Sequence, residues 1–127
     1  MILLDTSVLI EMFRVKDKSA TFFYQLSHKN SDFFISVITH FEIFRGSDPL
    51  QDVFWGTFLK HVKVIPFDMT SSYEAVRLYK QLKMQNKMID LADLLIASTA
   101  LAHNLNLATL NIKHFSKIPD LHILSTR

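Results

Sequence analysis

The sequence predicts an α/β fold built on a mostly parallel sheet of four to five strands. Three observations predict it. Short apolar runs at residues 1–4, 33–35, 62–67 and 105–109 recur along the chain, and segments with helical periodicity follow them. The opening runs are apolar at successive residues, as parallel strands covered by helices on both faces must be. No repeat, linker or low-complexity stretch interrupts the alternation, so residues 1–127 are expected to form one domain with its own core.

Each element has a local reason. Met1-Ile2-Leu3-Leu4 opens the chain as a short buried strand, with Asp5 at its end. Thr6 and Ser7 are good N-cap residues for the amphipathic stretch behind them, which places Val8, Leu9, Met12 and Phe13 on one side. A second amphipathic run over residues 20–28 turns Phe22, Phe23 and Leu26 toward a core. Phe33-Phe34-Ile35 forms the next strand and ends at Ser36. A helix over residues 37–44 follows, and Arg45-Gly46 closes it. Ser47-Asp48-Pro49 is turn chemistry ahead of a helix over residues 50–61. The third strand, residues 62–67, carries Pro66 near its end, where a missing N–H is tolerated. Asp68 begins a helix reaching about residue 86, in which Ser71 and Glu74 match a capping box. Asp90 starts a helix that is apolar nearly all round and is therefore expected to be central and buried. A fourth strand, a short helix over residues 112–115 and a last edge strand at Leu121-His122-Ile123-Leu124 complete the chain.

Composition removes several classes of function. Hydrophobic content of 49% and charged content of 20% describe an ordered chain. Gly46 and Gly56 are the only glycines, which excludes the glycine-rich loops that cradle nucleotide phosphates. The absence of cysteine excludes disulfides and thiolate metal sites. No basic leader precedes the first strand, and His103, Asn104, Asn106 and Asn111 interrupt the longest uncharged segment. The chain is therefore expected to be cytoplasmic, with no membrane association. A net charge of +2 tolerates a nucleic-acid partner without requiring one. Arg77, Lys80, Lys83 and Lys87 form either a basic stripe or an ordinary solvated helix face.

The chemistry rests on carboxylates. Asp5 stands at the carboxyl end of the first strand, where open α/β sheets bind their ligands, although an Asp there also serves as a helix cap. Glu42 lies in the helix that leaves the second strand, and Thr39-x-x-Glu42 doubles as a capping-box spacing. Asp93 is the one ionisable residue between Leu91 and Ala102, on a helix that looks buried all round. A carboxylate placed there is costly unless something compensates it, and Asp90-x-x-Asp93 is the structural alternative. Asn111 follows the fourth strand at the same rim. Asp5, Glu42 and Asp93 thus come from separate segments that a doubly wound sheet brings to one cleft. Two carboxylates about 5 Å apart repel by roughly 3 kcal/mol at an effective dielectric near 20, so ionised acids gathered there need a cation. Oxygen ligands without cysteine favour Mg²⁺ or Mn²⁺, ions that polarise a phosphoryl oxygen and acidify water for phosphodiester hydrolysis.

At this point the residues resemble a family. Leu4-Asp5-Thr6-Ser7-Val8-Leu9-Ile10, Ser36-Val37-Ile38-Thr39-His40-Phe41-Glu42-Ile43, Asp93-Leu94-Leu95-Ile96-Ala97-Ser98-Thr99-Ala100 and Leu107-Ala108-Thr109-Leu110-Asn111-Ile112-Lys113-His114-Phe115 follow, in order, the pattern of PIN-domain ribonucleases. The likeness is to the VapC-type toxins of bacterial VapBC toxin–antitoxin pairs. It implies a three-layer α/β/α fold and an endoribonuclease dependent on Mg²⁺ or Mn²⁺, with Asp5, Glu42 and Asp93 as catalytic and metal-ligating acids. It also implies a homodimer and a cognate antitoxin, for which Phe13, Phe22, Phe23, Phe41, Phe44 and Phe54 offer an apolar groove. Many family members carry a fourth acid where this chain has Asn111, so Asn111 is expected to support rather than to ligate. Thr6 and Ser7 either order water or cap the helix, and a contribution from Asp90 stays open. Two other readings compete: a PIN-like module that binds RNA or protein without cutting, and a phosphatase using Asp5 as nucleophile. The latter usually needs a second acid two residues on, where Ser7 stands.

Overall fold

A computed structural model describes residues 1–126. Five strands form one parallel sheet in the order β3-β2-β1-β4-β5: β1 (Ile2–Leu4), β2 (Phe33–Ser36), β3 (Lys63–Ile65), β4 (Asn106–Ala108) and β5 (Ile123–Leu124). Among the described residues seven α-helices surround it: α1 (Thr6–Arg14), α2 (Phe22–Ser27), α3 (Val37–Arg45), α4 (Pro49–Phe58), α5 (Met69–Met84), α6 (Leu91–Ala102) and α7 (Ile112–Phe115).

Alternation along β1 assigns the layers. Ile2 and Leu4 join a buried cluster with α1, α2 and α4 through Val8, Leu9, Phe22, Trp55 and Phe58. Leu3 points the other way and joins Leu78 and Leu82 of α5, Leu94, Ile96 and Ala97 of α6 and Phe115 of α7. The sheet is therefore sandwiched between two helical layers, as expected. In β3, at one edge, Lys63 and Val64 are exposed, and the edge position of the last strand holds.

The order in which strands are added to the sheet reverses at β1. From there β2 and β3 are added on one side, whereas β4 and β5 lie on the other. A crevice opens at such a switch point, outside the carboxyl ends of the two central strands. Asp5 follows β1 there, and its N–H donates to the Ala108 carbonyl at the end of β4 (2.9 Å).

Several boundaries and caps differ from expectation. A 3-10 turn at Lys18–Ala20 precedes α2, so this helix begins at Phe22, where the Thr21 hydroxyl accepts from the Tyr24 N–H. The helix after the turn at Asp48 starts at Pro49, with a capping box between Asp48 and Gln51, and its last turn tightens into a 3-10 turn at Leu59–His61. Ser71 and Glu74 do not cap α5; the Asp68 carboxylate, three residues earlier, accepts from the Ser71 N–H. A left-handed Asn86 follows the end of α5 (φ 56). The helix α6 is not buried on every side. Leu91, 68% exposed, leaves its first turn at the surface.

Candidate metal centre

The three acids line one cleft at the switch point, together with Thr6, Ser7 and Asn111. Each reaches it for a different reason.

Asp5 is 2% exposed, and its side chain makes no cap bond to α1. Instead Oδ2 accepts from two hydroxyls, Ser7 Oγ at 2.7 Å and Thr109 Oγ1 at 2.8 Å. Both hydroxyls are themselves aimed by backbone donors. The Leu110 N–H reaches Ser7 Oγ (3.1 Å), and the Asn111 N–H reaches Thr109 Oγ1 (2.9 Å). A relay thus runs from the turn after β4 to one oxygen of Asp5. Capping by Thr6 or Ser7 is absent: both sit inside the first turn of α1 and spend their hydroxyls on acids. Thr109 was not singled out from sequence. Its only signal is a polar residue directly behind a buried strand, two positions before Asn111.

Glu42 is half-buried on α3, whose N-cap is Ser36, accepting from the Thr39 N–H at 3.1 Å. That cap rules out the Thr39–Glu42 capping box. Glu42 Oε1 instead accepts from Thr6 Oγ1 at 2.7 Å, with the Thr39 hydroxyl 2.9 Å from Thr6. Thr6 therefore ties α1 to α3 and sets the carboxylate of Glu42.

Asp93 occupies the exposed first turn of α6, with a side chain 15% exposed. Its carboxyl is held above the ordinary value of 3.8. Desolvation is the main cause and the nearby Asp5 charge the second, with a weaker push from Asp90; a hydrogen bond from His114 opposes them. His114 Nδ1 lies 3.1 Å from Asp93 Oδ2. Asp90 is at the N-cap position of α6 but makes no side-chain cap bond, and it lines a neighbouring hollow with His114 and Lys117. Asn111 is exposed at the rim and caps nothing through its side chain.

The structure thus sets Asp5 and Asp93 close enough to raise the proton affinity of Asp93, and adds Glu42 to the same wall. Among the described residues no three His, Asp or Glu side chains converge into a ready-made cage. The donor set still fits a hard cation. Mg²⁺ is commonly held by one or two carboxylates while keeping several waters. The like-charge pair in a half-buried cleft is the feature such an ion relieves.

Thr109 is open to test. Thr109→Val keeps the shape but removes the donor to Asp5 and the acceptor of the Asn111 N–H. Urea unfolding of the variant is expected to show a loss of about 1–3 kcal/mol, with Thr109→Ser close to the parent. An unchanged midpoint in the valine variant would show that the relay contributes nothing.

The PIN domain family matches residues 2–121. The chain belongs to this family. This PIN domain is 31% identical over 132 residues to ribonuclease VapC1 of Rickettsia felis, which covers 98% of this chain and 95% of the relative. It is 34% identical over 120 residues to ribonuclease VapC1 of Methanocaldococcus jannaschii, covering 94% of this chain and 82% of that one. Among solved structures, VapBC2 from Rickettsia felis bound to a DNA fragment from its promoter aligns over 100% of both chains, with a TM-score of 0.87 at 28% identity. VapBC-1 from nontypeable Haemophilus influenzae aligns over 98% of both chains, with a TM-score of 0.86 at 26% identity. The VapC-type resemblance and the α/β/α architecture read from the sequence both stand.

Proposed function

We propose that this PIN domain, spanning residues 1–127, is a divalent-metal-dependent endoribonuclease that acts as the toxin of a toxin–antitoxin pair. The observation that carries the reading is the facing of Asp5 and Asp93 across the switch point, where burial and mutual repulsion hold the Asp93 carboxyl above its ordinary value. Asp5 and Asp93 would hold Mg²⁺ or Mn²⁺, with Glu42 contributing charge from α3 in the same cleft. Such an ion supplies Lewis acidity at a phosphoryl oxygen and a lowered pKa for a water molecule.

The chain's own residues do the positioning. Ser7 and Thr109 both donate to Oδ2 of Asp5, which leaves Oδ1 without a side-chain partner among the described residues. Thr6 holds Glu42 through Oε1, and His114 holds Asp93 through Oδ2. Asn111 offers an amide to a phosphate or a water at the rim, without adding charge.

The test is metal removal. Dialysis against EDTA should abolish cleavage of single-stranded RNA, and Mn²⁺ should restore it. Binding without cleavage under every metal condition would instead favour a non-cutting RNA-binding module.

The partners follow from two apolar surfaces. Between α2 and α4 lies a cavity of about 410 Å³ lined by Met12, Phe23, Tyr24, Phe54 and Phe58, of a size and polarity suited to an apolar segment of the antitoxin. The solved relatives from Rickettsia felis and nontypeable Haemophilus influenzae are VapBC structures, which supports such a partner. Beside the acids, Phe41 and Leu91 are 61% and 68% exposed, which supports a homodimer through α3 and α6. Sedimentation of the isolated chain at the monomer mass would sink the dimer. No helix among the described residues is long and apolar enough to cross a membrane, and a cytoplasmic site of action agrees with an RNA substrate.

A further inference from the structure

An acidic cleft that acts on RNA must also attract a polyanion. The residues that line it include Asp5, Glu11, Glu42 and Asp93, but Arg14 is its only Lys or Arg among the described residues. Arg14 is exposed and makes no hydrogen bond or ion pair among the described residues, although it stands three positions from Glu11.

The structural duties available to Arg14 are already taken. A cation in the last turn of a helix ordinarily serves the helix dipole and the orphan carbonyls. Here Lys18 performs that task. Its Nζ reaches the carbonyls of Met12 at 2.6 Å, Phe13 at 3.1 Å and Val15 at 2.8 Å. Glu11 is likewise committed, since its Oε1 accepts the Phe22 N–H at the start of α2 (2.8 Å). The guanidinium is therefore left facing the cleft, uncommitted and solvated.

Its place along α1 gives it a register. Ser7, Glu11 and Arg14 lie at i, i+4 and i+7, on one face of the helix. Seven residues at about 1.5 Å each put Arg14 roughly 10 Å along the axis from the Ser7–Asp5 end. At about 3.4 Å per stacked nucleotide that is about three nucleotides, or fewer for an extended strand.

We propose that Arg14 is the contact for a backbone phosphate of the RNA strand, one to three nucleotides from the bond to be cut. A planar guanidinium holds a phosphate with paired N–H donors. The contact sets where the strand lies along α1 and carries no base identity. The inference rests on the ribonuclease reading for its substrate class, so the experiment keeps the two apart.

The probe is a fluorescein-labelled single-stranded RNA oligonucleotide, bound to the full chain in EDTA over a series of KCl concentrations. Arg14→Ala should weaken binding about tenfold, the fold-change of one lost charge-assisted contact. Its slope of log K against log salt should be shallower by about 0.7, the share of one phosphate on a single strand. Arg14→Lys should recover part of the affinity and all of the slope, because the charge returns without the fork. The thermal midpoint of Arg14→Ala should match the parent, which separates a substrate contact from a structural one. Unchanged affinity and slope in Arg14→Ala, or no RNA binding by the parent, would overturn the proposal. Cleavage of the same oligonucleotide in Mn²⁺ tests the nuclease separately: RNA held through Arg14 but never cut would leave the contact standing and remove the ribonuclease reading.

Discussion

Asp93→Asn should reduce metal-dependent RNA cleavage by on the order of 10³-fold while leaving the fold intact. The loss corresponds to the several kcal/mol that an oriented cation contributes to a developing charge. Stability should move the other way. The Asp93 carboxyl is raised on folding, chiefly by desolvation and next by Asp5. A raised carboxyl binds its proton more tightly in the folded chain, so its contribution to stability is full below the ordinary value of 3.8. That contribution is lost as pH rises through the higher folded value. Above that value the metal-free parent carries an ionised, partly desolvated Asp93 beside Asp5. The asparagine variant does not. Scanning calorimetry of metal-free protein at pH 7 should give a midpoint for Asp93→Asn at or above the parent's, and the two should converge as pH falls toward 4. Added Mn²⁺ should raise the parent's midpoint far more than the variant's. Full activity in the variant, or an equal Mn²⁺ response, would remove Asp93 from the centre.

Phe115→Ala should produce the opposite signature, a loss of fold before a loss of chemistry. Phe115 is fully buried and belongs to the same cluster as Leu3, Leu94 and Leu107. Emptying a site of this kind costs about 3–5 kcal/mol, against about 5–15 kcal/mol for a whole domain. The thermal midpoint should fall by roughly 10 °C or more. The position matters because α7 is only four residues long. Phe115 anchors it, and the same helix presents His114 to Asp93 and follows directly from Asn111. At a temperature where the variant is still folded, its activity should be reduced, and its response to Mn²⁺ should be weaker than the parent's. A midpoint within a degree or two of the parent's would show that α7 is held by something other than Phe115.

Much of this site was legible in the sequence because its acids sit where charged residues do not belong. Asp93 interrupts an otherwise apolar helix, and Asp5 ends a buried run; both are conspicuous without any structure. The hydroxyls that aim them are not. Ser, Thr and Asn are common at helix starts, so Thr6 and Ser7 read equally well as caps, and Thr109 shows only as a polar residue behind a buried strand. Their partners lie far along the chain: Thr6 reaches Glu42, and Thr109 reaches Asp5. The cap at Ser71 failed for a related reason. Asp68 and Ser71 both suit an N-cap, and the choice depends on which residue leaves the helix axis.

The alternation of strands and helices, the parallel sheet and three candidate acids can be read from the amino-acid order alone. Those features are local: periodicity, strand-end position and the cost of burying a charge are written into neighbouring residues. The pairing of β4 with β1, which opens the crevice under Asp5 and brings Thr109 to its carboxylate, comes from long-range contacts. The fold also settles that Lys18, not Arg14, closes α1, and that the first turn of α6 stands at the surface with Asp93. Each of these is a choice between residues of equal local suitability. Contacts closed between distant segments make that choice, and no local pattern records them.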